Sequence, residues 1–287
     1  MNWMERWTRG RIIAGKLTRR VIAGGLIVLS LALVVGIARG QISGGYDLKF
    51  ELGDRSNTVH EGEFHLARMI YDTFGGAGSH GYVNPWWAID YPYAEMHFLP
   101  ALRRLTGLSV SDDSENLELS DDRLFAHPFL FLQQPGQGRW DPTPRDAERL
   151  RDYFKRGGFM LVDDFHGEYE WAIFEEAIHR VLPGLPIVEI PEDDPVLHVF
   201  YDLHDRLQLP GLRHLRRGRG GQIVARMEGD PHWRGIYDES GRLIVAMNFN
   251  MDMGDSWEHA DDPYYPAPMT GQAYRLGINY VLYALTH

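Results

Sequence analysis

The sequence predicts a three-layer α/β domain with a mostly parallel sheet, preceded by one amino-terminal transmembrane helix. Three observations predict it. Gly157-Gly158-Phe159-Met160-Leu161-Val162-Asp163-Asp164 is an apolar run that opens on two glycines and stops on two acids, as strands covered on both faces do. Runs of this kind alternate with amphipathic stretches through the first two thirds of the chain, which is how parallel strands are connected. Val21 to Ala38 is 18 residues without a charge, just long enough to cross a bilayer as a helix.

In chain order, Phe64 to Tyr71 reads as the first strand and Gly75-Gly76-Ala77-Gly78 as a loop. Pro92 to Thr106 reads as a helix, with Ala94, Phe98, Leu102 and Leu105 on one face and Gly107 as its stop. Phe129 to Leu132 is a second strand, ended by Gln133-Gln134-Pro135-Gly136. Thr143 caps the next helix, Pro144 fits its first turn, and Gly157 closes it after Arg156. The glycine-led strand follows at once, then a helix from Glu168 to Leu182 bounded by Pro183-Gly184. Ile187 to Ile190 is a short strand. Trp233 to Tyr237 and Arg242 to Phe249 form a hairpin around Asp238-Glu239-Ser240-Gly241, an antiparallel addition to the sheet, and Thr270 to Leu285 is the last helix.

The first 40 residues carry seven Lys or Arg against one acid, so the positive-inside rule leaves residues 1–20 in the cytoplasm. Residues 21–38 are then a retained anchor, with a cleaved export signal as the alternative because Arg19-Arg20 precedes them and Ala38-Arg39-Gly40 ends them. Either way residues 41–287 form a single extracytoplasmic domain, periplasmic or secreted. That domain carries 22 basic and 39 acidic residues, a charge of −17, which excludes nucleic acid as a partner. The chain has no cysteine, so disulfides, thiolate metal sites and cysteine nucleophiles are excluded. No phosphate-cradling loop with Lys and no Gly-x-Ser-x-Gly elbow occurs.

Several pieces taken together carry a resemblance: Phe64 to Tyr71, Trp87-Ala88-Ile89-Asp90-Tyr91-Pro92 with Glu95 and Phe98, Gly157 to Gly167 with Trp171 and Phe174, His198 to Leu203, and Asn248 to Trp257. In order and spacing the chain resembles a bacterial family, domain-of-unknown-function family 4159 (DUF4159). The resemblance implies a flavodoxin-like sandwich similar to class I glutamine amidotransferase domains. It does not imply glutaminase chemistry, which uses a cysteine nucleophile that this chain lacks.

In parallel α/β sheets ligands collect beyond the carboxyl ends of the strands, where Asp163, Asp164 and His166 would form the floor of a site. Carboxylates brought close raise one another's proton affinity or bind a hard cation. A competing expectation is that Asp163 or Asp164 caps the helix that begins near Glu168. Trp87 with Asp90 and Glu95 reads either as an aromatic and carboxylate platform for a sugar ring or as core beneath a helix start. Asn248, Asp252 and Asp255 gather oxygen ligands in the loop after the hairpin, without the spacing of a twelve-residue calcium loop. His198 would complete a metal set with Asp163 and Asp164, so a divalent cation is the one cofactor implied. Arg213 to Gly221 is the only basic run of the exported part and reads as a solvated loop, with a grip on an anionic ligand or a lipid head group as the alternative.

These residues lead to an expectation of a membrane-anchored envelope protein that binds a small or carbohydrate-like ligand at the strand ends. The first alternative is a hydrolase of envelope glycans or peptides, which needs paired carboxyls roughly 5 to 9.5 Å apart or a metal. The second is a non-enzymatic partner in an envelope complex, docking through Trp233, Trp257, Tyr264 and Tyr265.

Overall fold

The computed structural model describes residues 62–77, 84–221, 223–225 and 229–287, all within one unit, Val59–His287. The expected anchor over residues 21–38 lies outside the described residues. Among those described, no helix is long and apolar enough to cross a membrane.

The strands in chain order are β1 (Ala67–Ile70), β2 (Gly76–Ala77), β3 (Asn84–Pro85), β4 (Glu115–Glu118), β5 (Phe129–Gln133), β6 (Phe159–Phe165), β7 (Ile187–Glu189), β8 (Leu215–Arg217), β9 (Ile223–Ala225), β10 (His232–Tyr237) and β11 (Leu243–Phe249). The helices are α1 (Tyr93–Thr106), α2 (Pro144–Lys155), α3 (Gly167–Val181), α4 (Met253–Glu258) and α5 (Ala267–Thr286). Seven strands make one sheet in the order β4-β1-β5-β6-β11-β10-β7. Neighbours from β4 to β11 run parallel, and β10 is antiparallel to both β11 and β7. The sheet is therefore mostly parallel, with the hairpin as its antiparallel addition.

Every residue of β5, β6 and β11 is buried, which is why these segments read as continuous apolar runs. Alternate side chains serve opposite layers. Phe129, Phe131, Phe159 and Leu161 pack with Phe98 and Leu102 of α1, Trp257 of α4 and Leu276 of α5. Leu130, Leu132, Met160 and Val162 pack with Leu150 of α2 and Phe174 of α3. Thr143 and Asp146 form a reciprocal capping box at the start of α2. Gly107 and Gly157 take the left-handed conformation that ends α1 and α2.

Two expectations need correction. The strand β4 was not anticipated, because this edge segment, Glu-Asn-Leu-Glu, carries one aliphatic side chain and lacks an apolar run. Neither Asp163 nor Asp164 caps α3. The backbone N–H of Gly167 donates instead to Asn250 Oδ1 at 2.9 Å, and that of His166 to Glu170 Oε2 at 2.8 Å.

Gly277 tests the packing of α4 and α5 against α1. A Cβ there would stand 2.5 Å from the Trp257 ring and 2.9 Å from the Phe98 ring, and these two rings are buried and stacked 4.1 Å apart. Helix propensity alone favours alanine by about 1 kcal/mol. Overpacking costs about 1–3 kcal/mol, and it wins where neither ring can move aside. Gly277→Ala is therefore expected to lower the denaturant midpoint, and a raised midpoint would show that the contact yields.

Candidate functional site

Three neighbouring strands carry polar residues near their carboxyl ends: β5 has Gln133 with Gln134 just beyond it, β6 has Asp163 and Asp164, and β11 has Asn248 with Asn250 and Asp252 just beyond it. An ionised acid at such a position has no water and needs donors. Asp163 finds them at the start of α4: its Oδ2 accepts the backbone N–H of Met253 at 2.7 Å and of Gly254 at 2.9 Å, and its Oδ1 accepts from Asn248 Nδ2 at 3.2 Å. Asn248 Oδ1 in turn accepts from the Tyr280 hydroxyl at 3.0 Å. Asp163 and Asn248 are thus anchors that hold α4 against the sheet.

Asp164 is the centre of the site. Its Oδ1 accepts from His166 Nε2 at 2.8 Å, and its Oδ2 accepts from the Gln134 amide. The Gln133 Nε2 lies 2.6 Å from Asp90 Oδ2 and 3.5 Å from Asp164 Oδ2, so these two carboxyl oxygens lie at most about 6 Å apart and share one amide donor. Asp252 brings a carboxyl oxygen within 4.8 Å of ligating atoms of both Asp164 and His166. The Asp252 Oδ1 also accepts the backbone N–H of Asp255, which caps α4. Gly254 is required where it stands, since a Cβ would come 2.6 Å from Asp90 Oδ2 and 2.8 Å from Gln133 Nε2.

Asp90 is delivered by a buried clamp. Arg68 on β1 is fully buried; its Nε donates to Glu95 Oε1 at 2.6 Å, and its Nη1 donates to the carbonyls of Trp87 and Ile89, each at 3.0 Å. The guanidinium also lies 4.9 Å from the centroid of the Phe131 ring. Glu95 and Trp87 therefore shape the turn that presents Asp90, and the Trp87 ring is in the core rather than on a sugar-binding surface. Asp90, Gln134, Asp164 and Asn250 all have φ between +53° and +62°. Such left-handed backbone costs about 1–3 kcal/mol per residue where it is not glycine, and it concentrates at functional sites.

A strap from Leu209 to Leu215 covers the carboxyls. The Leu209 carbonyl accepts the N–H of Asp252 at 2.7 Å, and the N–H of Leu212 donates to Asp255 Oδ2. Arg213 Nη2 lies 3.8 Å from Asp164 Oδ1, and the His214 ring packs 5.2 Å from that of His166. His259 Nε2 pairs with Asp255 Oδ1 at 3.0 Å. The basic run therefore contributes its first two residues to the site. A surface cleft of about 650 Å³, lined by Phe125, Arg149 and Arg156, lies along α2 and includes none of these residues.

Burial dominates the electrostatics. It raises the proton affinity of Asp90 well above the usual carboxylate range, with Asp255 and Asp164 adding to the effect. Burial does the same to Asp252, helped by Asp164 and Asp255. It pushes Asp163 up to about 7 despite the two backbone donors. Burial drives the His214 imidazole down to about 4.

Of the residues singled out from sequence, Asp90, Asp163, Asp164, His166, Asn248, Asp252 and Asp255 are brought together. His198 is not. Its Nδ1 contacts Asp202 and its Nε2 donates to the Glu192 carbonyl at 2.7 Å, in a separate group with His204, so it does not join Asp163 and Asp164. Trp233, Trp257 and Tyr265 are buried and only Tyr264 is exposed, so these four rings do not form a docking surface. Sequence reasoning missed Gln133, Gln134, Arg68 and the strap. Gln133-Gln134 carried a signal, because this pair ends its apolar run as Asp163-Asp164 ends the neighbouring one.

The family described as a domain of unknown function, DUF4159, matches residues 65–285. The chain belongs to that family. Every residue of the site falls within the matched span, and no curated protein matches the chain.

The raised carboxyls have a consequence for stability. An acid with a raised folded-state pKa stabilises the fold while protonated, and that contribution is lost as pH rises through the folded value. His214 has the opposite sign, but its contribution is complete above its ordinary value near 6.5. Between pH 6.5 and 8.5 the metal-free protein is therefore expected to lose up to about 1.4 kcal/mol per pH unit for each acid still protonated in the folded state, with Asp163 contributing only up to about pH 7. Thermal unfolding across that range checks this, and a rising midpoint would contradict it.

Proposed function

We propose that this domain binds a small, hydroxyl-rich ligand of carbohydrate type at the carboxyl ends of β5, β6 and β11, as a membrane-anchored protein of the bacterial envelope. The carrying observation is the convergence of Asp90, Asp164 and Asp252 with the amides of Gln133 and Gln134 at one end of the sheet. Carboxyls with raised proton affinity both donate and accept, and sugar hydroxyls require both. The strap over the site would swing aside to admit such a ligand and close over it.

The strand order supports the flavodoxin-like reading. Numbered in chain order, the five adjacent parallel strands run 2-1-3-4-5, the doubly wound order whose ligands lie beyond the strand carboxyl ends. One observation favours a second, enzymatic reading, hydrolysis of a glycan: Asp90 and Asp164 share the Gln133 amide, which keeps two carboxyls close enough to serve together as acid and nucleophile or base.

Thermal-shift screening of the full-length chain in detergent against monosaccharides and N-acetylglucosamine oligomers tests the proposal. A stabilising sugar is expected whose effect disappears in Asp90→Asn and Asp164→Asn variants that retain their far-ultraviolet circular dichroism. A shift unchanged in both variants would move the binding site elsewhere, and release of reducing sugar by the wild type alone would establish the enzymatic reading.

A further inference from the structure

Asp164, His166 and Asp252 turn ligating atoms into one space, with those atoms all within 4.8 Å of one another, and all three residues are buried. Acids held this close, away from water, are neutralised by protons or by a cation. Independent polar groups surround them. Gln133 and Gln134, exposed by 1 % or less, both direct an amide nitrogen at Asp164, yet among the described residues neither carbonyl oxygen has a hydrogen-bond partner. His166, with 8 % of its side chain exposed, has no partner for Nδ1 among those residues. Buried amide carbonyl oxygens without donors are the atoms that hard cations recruit.

We propose that Asp164, His166 and Asp252 form a binding site for one divalent cation, which rests on the reading of these strand ends as the binding site. Ligating atoms within 4.8 Å of one another can converge on one ion, whereas a sugar requires the strap to move. Two carboxylates and an imidazole suit Mn²⁺ or Zn²⁺ better than Ca²⁺ or Mg²⁺, which prefer oxygen alone. In this position the ion would hold ligand hydroxyls at the mouth of the site. The group His198, Asp202 and His204 is a less favourable setting, since Asp202 and His204 are 67 % and 73 % exposed and the Glu192 carbonyl already engages His198.

The full-length chain, stripped with chelator and dialysed against Mn²⁺, Zn²⁺, Ca²⁺ or Mg²⁺, is expected to retain about one equivalent of Mn²⁺ or Zn²⁺ by elemental analysis. Its affinity should fall about tenfold or more in Asp252→Asn and in His166→Ala, as loss of a ligand demands, and stay unchanged in the His198→Ala, His204→Ala double variant. Pulsed electron paramagnetic resonance of Mn²⁺ bound to the wild type should show coupling to one imidazole nitrogen, a readout that does not depend on any variant folding. No uptake, binding lost only in the double variant, or bound Mn²⁺ without nitrogen coupling would each overturn the site. Sugar binding without metal uptake would refute the ion while sparing the ligand reading, and uptake of Mn²⁺ without any sugar binding would do the reverse.

Discussion

A carboxylate at the end of a strand buried on both faces must draw its donors from protein, and Asp163 draws them from the first backbone amides of α4. That interaction brings a helix that follows β11 onto the end of β6. Asp252, Asp255 and Glu258 come with it, and they meet Asp164 and Asp90 from the opposite side. The result is a concentration of negative charge that none of the elements would carry alone. The attraction that organises the site and the repulsion that raises its proton affinity therefore begin at adjacent residues of one strand.

The opposing side is held with similar economy. Arg68 spends one edge of its guanidinium on Glu95 and the other on two backbone carbonyls. Removing one partner of a buried pair typically costs about 3–5 kcal/mol, because the remaining charge is left without compensation. Left-handed backbone at Asp90, Gln134, Asp164 and Asn250 adds strain at the same end of the sheet. Core packing of rings such as Phe98 and Trp257 on one face, and Phe165 and Phe174 on the other, offsets that strain and keeps the carboxyls from separating.

Most of the α/β architecture was legible in the sequence because strands buried on both faces announce themselves. Phe129-Leu130-Phe131-Leu132 and Phe159-Met160-Leu161-Val162 are unbroken apolar runs with turn residues at both ends, and Thr143-Pro144 is an unambiguous helix start. The edge strand β4 was not legible, since an edge needs few apolar side chains. Within the site, Asp163, Asp164 and His166 could be read from their place at a strand end, and Asp252 from its oxygen-rich loop. Their division of labour could not, because it depends on contacts between residues about 90 positions apart, as when Asp163 takes the amides of Met253 and Gly254. His198 was misread for the same reason: an imidazole between acids in sequence says nothing about which acid lies beside it in space.

Acids crowded out of water at the strand ends underlie every property of this site. Carbon-13 spectra of the aspartate side-chain carboxyls, followed from pH 4 to 9 in the metal-free full-length chain, test that claim most directly. The account predicts that carboxyls of Asp90, Asp163 and Asp252 still carry protons well above the usual carboxylate range, with Asp163 titrating near 7. Complete ionisation of all three below pH 5 would contradict it, for the acids would then be solvated and the site an ordinary charged surface.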